Sequence, residues 1–473
     1  MSNRTEQRRR FAALDATTPQ RVVSRVRRIV GLEIEAGHIH AAIGDLVWIG
    51  DSRRPAEVVA IRDDAVVMMP FGSVEGIAAG DAVEASGQRP TLEVGDGLIG
   101  RVVDAAGHPI DGFGPLAGLL QTVDYANDVP NPMTRQRISE PLSLGVRAVD
   151  TMLTCGQGQR IGIMAGSGVG KSTLLGMMAR GTDAEIVVVG LVGERGREVR
   201  EFLEDDLGPE GRKRACVVVA TSDEPALMRR RAAIAATRIA EHFADQGKDV
   251  LLLMDSLTRV AMAQRDIGLA AGEPPTTRGY PPSTFSILPQ LLERAGPRQR
   301  GSITGIYAVL VEGDDMNEPV ADSARSILDG HLVLSRRLAA AGHYPTLDVL
   351  ESASRLATKL CDRRQLDLVQ HLRRLMSAFE EARDLVEIGA YRAGADPDVD
   401  EYLARRDDIM AFLRQDMHDV ARSEASWAQL EAVLSGPVAA PALNTPLATP
   451  HAALPPSPAV AADAYRAELT AGR

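Results

Sequence analysis

Between residues 89 and 375 the chain alternates short, unbroken apolar runs with longer stretches whose apolar positions recur at helical spacing. The runs include Arg160–Met164, Ile186–Val189, Cys216–Val219, Val250–Met254 and Ile306–Leu310. Their length and richness in branched residues read as strands, and segments such as 224–246 between them read as helices. Strand and helix taking turns predicts an α/β domain with a mostly parallel sheet. A ligand is then expected at the carboxyl ends of the strands.

The pattern changes on either side. Across 21–88 the strands are shorter: Arg21–Val26 alternates, and Glu57–Ile61 and Val66–Met69 flank a turn at Asp63-Asp64. Gly72, Gly76 and Gly80 then punctuate the chain at even spacing, which predicts a small antiparallel barrel. Across 376–435 the chain reads as helical. Leu368, Leu372, Leu375, Met376 and Phe379 share one face, Ile409, Phe412 and Leu413 another, and Gly394 to Pro397 break the run. From 436 to 473 alanine and proline dominate, with seven prolines between Pro437 and Pro458, and the tail is expected to be disordered. Residues 1–20 carry Arg4, Arg8, Arg9 and Arg10 before Phe11. They read either as a solvated terminus or as a basic docking segment for a partner or an anionic membrane surface.

Composition narrows the class. A chain of 473 residues supports two or three domains, and 45% hydrophobic content marks it as globular. Only 4% of residues are aromatic, so aliphatic side chains must fill the core. A net charge of −11 argues against a broad basic surface for nucleic acid. No run of 18 apolar residues predicts a membrane span. The arginine-rich start lacks the apolar region of a secretory signal. Cys155, Cys216 and Cys361 are widely spaced, suit a reducing cytosol and form no metal or disulfide pattern.

The most informative chemistry lies at 165–173. Ala165-Gly166-Ser167-Gly168-Val169-Gly170-Lys171-Ser172-Thr173 joins a strand-like run to a helix-like one. Glycines let the backbone N–H groups turn inward on phosphate oxygens, and the following helix presents its positive end to the same anion. Lys171 is placed for the outer phosphates and Ser172 for Mg²⁺, so the segment reads as a P-loop with Ala165 in place of its first glycine. A P-loop enzyme also needs a strand-end carboxylate near the metal, and Asp255 closes the run Val250–Met254. Glu194, in Gly193-Glu194-Arg195-Gly196-Arg197-Glu198, reads equally as a water-polarising carboxylate or as part of a charged turn. Arg355 offers transition-state charge neutralisation or a plain surface cation. Tyr344 could stack a base or cap a loop, and the Pro/Gly-rich loop 272–282 is long enough to suggest function.

Gly193 to Phe202, Asp255-Ser256-Leu257-Thr258-Arg259, Gly272 to Pro282, Glu312 to Asp322 and Asp329 to Arg337 together resemble the ATPases of flagellar and type III protein export. These enzymes are akin to the catalytic subunits of rotary F-type ATPases. The resemblance covers about residues 21–435. It implies an N-terminal β-barrel, a RecA-like P-loop ATPase core and a C-terminal helical domain, assembled as a homo-hexamer with ATP and Mg²⁺ between subunits. On the matched motifs, residues Gly166 to Thr173 cradle phosphate, with Lys171 on phosphate, while Ser172 and Asp255 serve Mg²⁺. Glu194 activates water, Arg195 lies near the terminal phosphate, Tyr344 stacks adenine, and Arg355 is the neighbour's arginine finger. The approach to that arginine, Glu351-Ser352-Ala353-Ser354, departs from the usual family pattern.

The resemblance further implies export of unfolded proteins released from chaperones, a regulator or stator, a stalk protein, and a cytoplasmic place at the inner-membrane export gate. Nucleic acid is not expected as a partner. A rotary ATP-synthase catalytic subunit would carry a different glutamate-arginine segment, and an RNA translocase would need a basic channel. A non-catalytic ring subunit would have lost Glu194. Gly107 to Leu116 leans toward the flagellar system.

Overall fold

The structure, a computed structural model, describes residues 23–436 apart from 312 and 314. The basic segment 1–20 and nearly all of the 436–473 tail therefore lie outside the described residues.

Six short strands close the N-terminal barrel: β1 (Val23–Val30), β2 (Glu33–Gly37), β3 (Leu46–Ile49), β4 (Arg54–Arg62), β5 (Ala65–Pro70) and β6 (Ala82–Ala85). All pair antiparallel, in the order β1-β2-β5-β4-β3-β6. Ile34, Val47, Ile49, Val58, Met68 and Val83 fill the interior, alternating with outward residues as strand geometry requires. The tight turn between β4 and β5 puts Asp63 in the left-handed region, at φ 37°, a conformation that aspartate tolerates better than most residues.

A two-stranded ribbon, β7 (Thr91–Val94) with β9 (Gln121–Asp124), brackets β8 (Val102–Asp104), the first strand of the main sheet. That sheet continues with β10 (Arg160–Ala165), β11 (Ile186–Glu194), β12 (Ala215–Thr221), β13 (Asp249–Asp255), β14 (Gly296–Pro297), β15 (Ser302–Leu310), β16 (Gly330–Leu334) and β17 (Leu347–Ser354). Its order is β17-β16-β10-β15-β13-β11-β12-β8, parallel except for β17 and for β14, which pairs beside β15. Helices cover both faces, which is why the central strands are apolar throughout. Val187, Val189, Leu251 and Leu253 face the helix Lys171–Gly181 and the C-terminal helices. Val188, Leu252 and Met254 face the helices Ala226–Asp245 and Leu257–Ala270. Alanines at 232, 233, 236 and 240 let the first of these lie close to the sheet, and a Cβ on Gly190 would sit 3.1 Å from that of Ala236.

The barrel is fastened to this core by charge. Glu57 of β4 accepts from Arg230 at 2.6 Å and from Arg231 at 2.5 Å, and Arg231 also lies over the Phe71 ring. Beyond the sheet, the helices Arg363–Glu387, Pro397–Leu413 and Ser423–Ser435 form the C-terminal region. Asp362 and Gln365 close a capping box on the first of them, so the expected division at 375/376 falls inside one continuous helix. A short helix, Ala357–Leu360, already follows β17 ahead of it. Phe379 stacks on Tyr402 at 4.3 Å and joins the first two helices. Among the described residues, no helix is long and apolar enough to cross a membrane.

Candidate active site

Strand β10 delivers the P-loop to the carboxyl edge of the sheet. Ala165 is its last residue and pairs with Leu310 and Leu334 on either side. Its backbone is extended, so no glycine is needed there. Gly168 and Gly170 do need to be glycine, at φ 76° and 88°. The helix Lys171–Gly181 then starts from Gly170 with no side-chain cap and no acid in its first turn. Its leading N–H groups and the positive end of its dipole are left for an anion. The Thr346 hydroxyl donates to the Val169 carbonyl at 2.6 Å and steadies the loop from behind.

Three charged side chains converge in front of it. Lys171 pairs with the Asp255 carboxylate, and its ammonium lies 3.7 Å from Glu194 Oε1. Neighbouring strands explain the meeting, since Asp255 ends β13 opposite Leu191 of β11, and Glu194 is the last residue of β11. Gly193 turns the chain there with φ 72°, and a Cβ on it would press on Arg259 at 3.0 Å. Asp255 is only 2% exposed. Burial, reinforced by the nearby Asp255 charge and opposed by Lys171, pushes the Glu194 carboxyl up to about 7. A carboxyl so placed can hold or take a proton near neutral pH.

The other expected residues divide. The Tyr344 ring stands beside the start of the P-loop helix, 3.9 Å from where a Gly170 Cβ would be, and Tyr344 is half exposed. Thr173 faces the Asp206 carboxyl, which burial pushes up and the Thr173 hydroxyl draws back down. Arg195 is turned outward, 3.6 Å from Glu198, and is not part of the Lys171 cluster. Arg355 is at the opposite end of the sheet. Because β17 runs antiparallel, Ser354 pairs with Gly330 at the amino end of β16, and the Arg355 amide donates to Asp329 at 3.0 Å. The six residues of β10, about 20 Å, separate that level from the P-loop, beyond the reach of an arginine side chain.

Some neighbours of the site have no local sequence signature. The Arg336 guanidinium lies where a Gly166 Cβ would be, at 2.8 Å. Arg259 backs Gly193, and its Nε is buried without a hydrogen-bond partner among the described residues. Arg259 and Arg336 do both stand in segments that carry the family resemblance, which is the one signal that could have found them.

The donor set fits Mg²⁺. Ser172 supplies a hydroxyl and Asp255 a carboxylate, both hard oxygen ligands. No group of three or more His, Cys, Asp or Glu residues among the described ones could hold a metal unaided. An ion there needs the phosphates and water of its nucleotide, as P-loop sites do.

Residues 145–354 match the nucleotide-binding domain of the ATP synthase alpha/beta family, and residues 26–87 match that family's beta-barrel domain. Residues 361–432 match the T3SS EscN ATPase C-terminal domain. The chain is 50% identical over 422 residues to the flagellum-specific ATP synthase of Bacillus subtilis, spanning 88% of this chain and 96% of that one. Among solved structures, the assembled ATPase EscN of the enteropathogenic E. coli type III secretion system superposes with TM-score 0.84 at 46% identity, covering 87% of this chain and all of that one. The same ATPase in complex with its central stalk EscO gives 0.81 at 45% identity. With its barrel, its P-loop sheet and its C-terminal helices all matched, the chain belongs to the family of flagellar and type III secretion ATPases and is an ATP-hydrolysing enzyme.

Proposed function

We propose that this ATPase powers protein export through a flagellar or type III secretion apparatus, and that it hydrolyses ATP between adjacent subunits of a homo-hexameric ring. The observation that carries the reading is the Lys171–Glu194–Asp255 cluster in front of an uncapped P-loop helix, with Arg355 at the far end of the same sheet. Residues Gly166 to Thr173 wrap the phosphates, and Lys171 neutralises the outer ones. Ser172 and Asp255 hold Mg²⁺, which when bound offsets charge on the outer phosphates. Glu194 accepts the proton of the attacking water. Tyr344 stacks on the base. Arg195 swings from Glu198 toward the terminal phosphate, and Arg355 supplies positive charge to the neighbour's site.

Assembly of the related EscN, and its complex with a central stalk, support a ring around a stalk protein for this chain. Export chaperones, unfolded substrates and a regulator complete the proposed partners, with residues 1–20 as the docking segment. The working place is the cytoplasmic side of the inner-membrane gate. Gly107 to Leu116 favours the flagellar system.

Charge-neutral Glu194→Gln tests the chemistry. Steady-state hydrolysis should fall by about two orders of magnitude or more, while ATP affinity changes little. Unimpaired turnover would remove Glu194 from its role. A chromosomal deletion complemented by wild type but not by Glu194→Gln tests the biology. Lost swimming assigns the flagellar apparatus, lost effector secretion the injectisome, and neither loss overturns the export reading.

A further inference from the structure

The segment after the helix Pro397–Leu413 ties the backbone of Tyr344 to the last turn of the P-loop helix. At one end, the Gln415 amide donates to the Tyr344 carbonyl at 3.0 Å. At the other, the Arg180 guanidinium, in the last turn of the P-loop helix, donates to the Met417 carbonyl. Gln415 itself is 6% exposed and its side chain is nearly saturated. Its Oε1 accepts from the Arg147 amide at 2.8 Å. Its Nε2 donates to the Gly145 carbonyl at 2.8 Å and to the Asp419 carbonyl at 2.9 Å. Gly145 is braced in turn, since a Cβ there would come within 2.5 Å of Gly181, the final residue of the P-loop helix. Arg147 secures the same segment by donating to the carbonyls of Phe412 and Arg414 at 3.0 and 3.2 Å.

Tyr344 has the opposite character. It is 53% exposed, so no packed core fixes where its ring stands. The position of the ring is set by its backbone, and Gln415 holds the carbonyl of that backbone. A buried glutamine fixed by three side-chain bonds thus holds, through its own main-chain amide, the backbone from which an exposed aromatic projects beside Gly170. Polar groups bonded this fully are rigid, and their geometry passes to what they hold.

We infer that Gln415 is a positioning residue for nucleotide binding: it orders its own segment against Gly145 and Arg147, and so sets the Tyr344 ring over the P-loop entrance. The inference rests on the reading of Tyr344 as the base-stacking residue. It makes ATP affinity depend on how the C-terminal helices sit against the core.

The test compares Gln415→Ala and Tyr344→Ala in the full-length chain. Stacking of a base on an aromatic ring is strong enough for each variant to raise KM for ATP by about five- to twenty-fold. For Gln415→Ala, kcat should stay within about twofold of wild type, since Lys171, Glu194 and Asp255 do not touch Gln415. Inorganic tripolyphosphate, which has no base, should inhibit the Gln415 variant and wild type with the same constant. The double variant should be no worse than either single one, because both act through one ring. Gln415→Met, of similar length but without hydrogen bonds, carries the same test if the alanine variant fails to fold. If Tyr344→Ala leaves KM unchanged, the stacking reading fails and this inference with it. If Tyr344→Ala raises KM and the Gln415 variants do not, only the Gln415 assignment fails. A parallel loss of kcat and of tripolyphosphate inhibition would mean general damage and would also overturn it.

Discussion

Glu194 carries the site's most informative electrostatics. Its carboxyl is lifted to about 7, first by burial and then by Asp255, with Lys171 working the other way. A base must be ionised to accept a proton, so kcat/KM for ATP should climb about tenfold per unit as pH rises toward 7 and level off above it. Glu194→Gln should flatten that limb; a limb that persists in the variant would belong to another group. Stability should run in the opposite sense. The folded protein holds this proton more tightly than the unfolded chain, whose glutamates ionise near 4.3, so the folded state is favoured below that value and the advantage is lost as pH rises through about 7. Glu194→Gln is relieved of the cost of ionising a buried carboxyl. It should therefore melt above wild type at pH 8, with the gap closing by pH 5. A gap that is the same at both pH values would remove the buried carboxyl as its cause.

Elements differ in how openly the sequence declares them. Strands β11 and β13 are buried on both faces, so each is an unbroken apolar run that stands out without its neighbours. The P-loop is equally local, since its backbone geometry demands glycine at 168 and 170 within a few residues of Lys171. Strand direction is not local: nothing within 347–354 states that β17 runs against β16, yet that reversal moves Arg355 to the far edge of the sheet. Contacts such as Thr346 with Val169, or Gln415 with Gly145, join residues far apart in sequence and leave no periodic trace. The barrel's attachment is of this second kind. Glu57 is nearly buried between Arg230 and Arg231, and removing one partner of a buried ion pair leaves the others desolvated and uncompensated. Glu57→Ala should cost about 3–5 kcal/mol, read from the denaturant midpoint, with Glu57→Gln costing less because its amide oxygen still accepts from one arginine. Equal losses would show that packing, and not charge, holds the barrel.

At the scale of the whole molecule, the sheet sets the P-loop cluster and Arg355 at opposite edges. The P-loop with Lys171, Glu194 and Asp255 lies at its carboxyl edge, and Arg355 lies level with the amino end of β10. Within one chain these cannot meet across a six-residue strand. In the proposed ring, Arg355 of one copy serves the P-loop of the next, and such an arginine is worth on the order of 10³–10⁵ in rate. Arg355→Ala should then bind ATP normally and hydrolyse it poorly. Wild-type activity should rise more steeply than linearly with protein concentration, because a lone chain holds half a site. Mixing Arg355→Ala with Lys171→Ala separates this from simple loss of function. Each variant alone lacks one half at every interface. In a mixed ring, an Arg355→Ala chain with an intact Lys171 can sit beside a Lys171→Ala chain with an intact Arg355, and that interface is complete. Random mixing of equal amounts makes about a quarter of interfaces complete by simple counting, so activity should return to a sizeable fraction of wild type if interfaces act independently. If rings demonstrably mix and hydrolysis stays at the level of the single variants, Arg355 does not act across the interface.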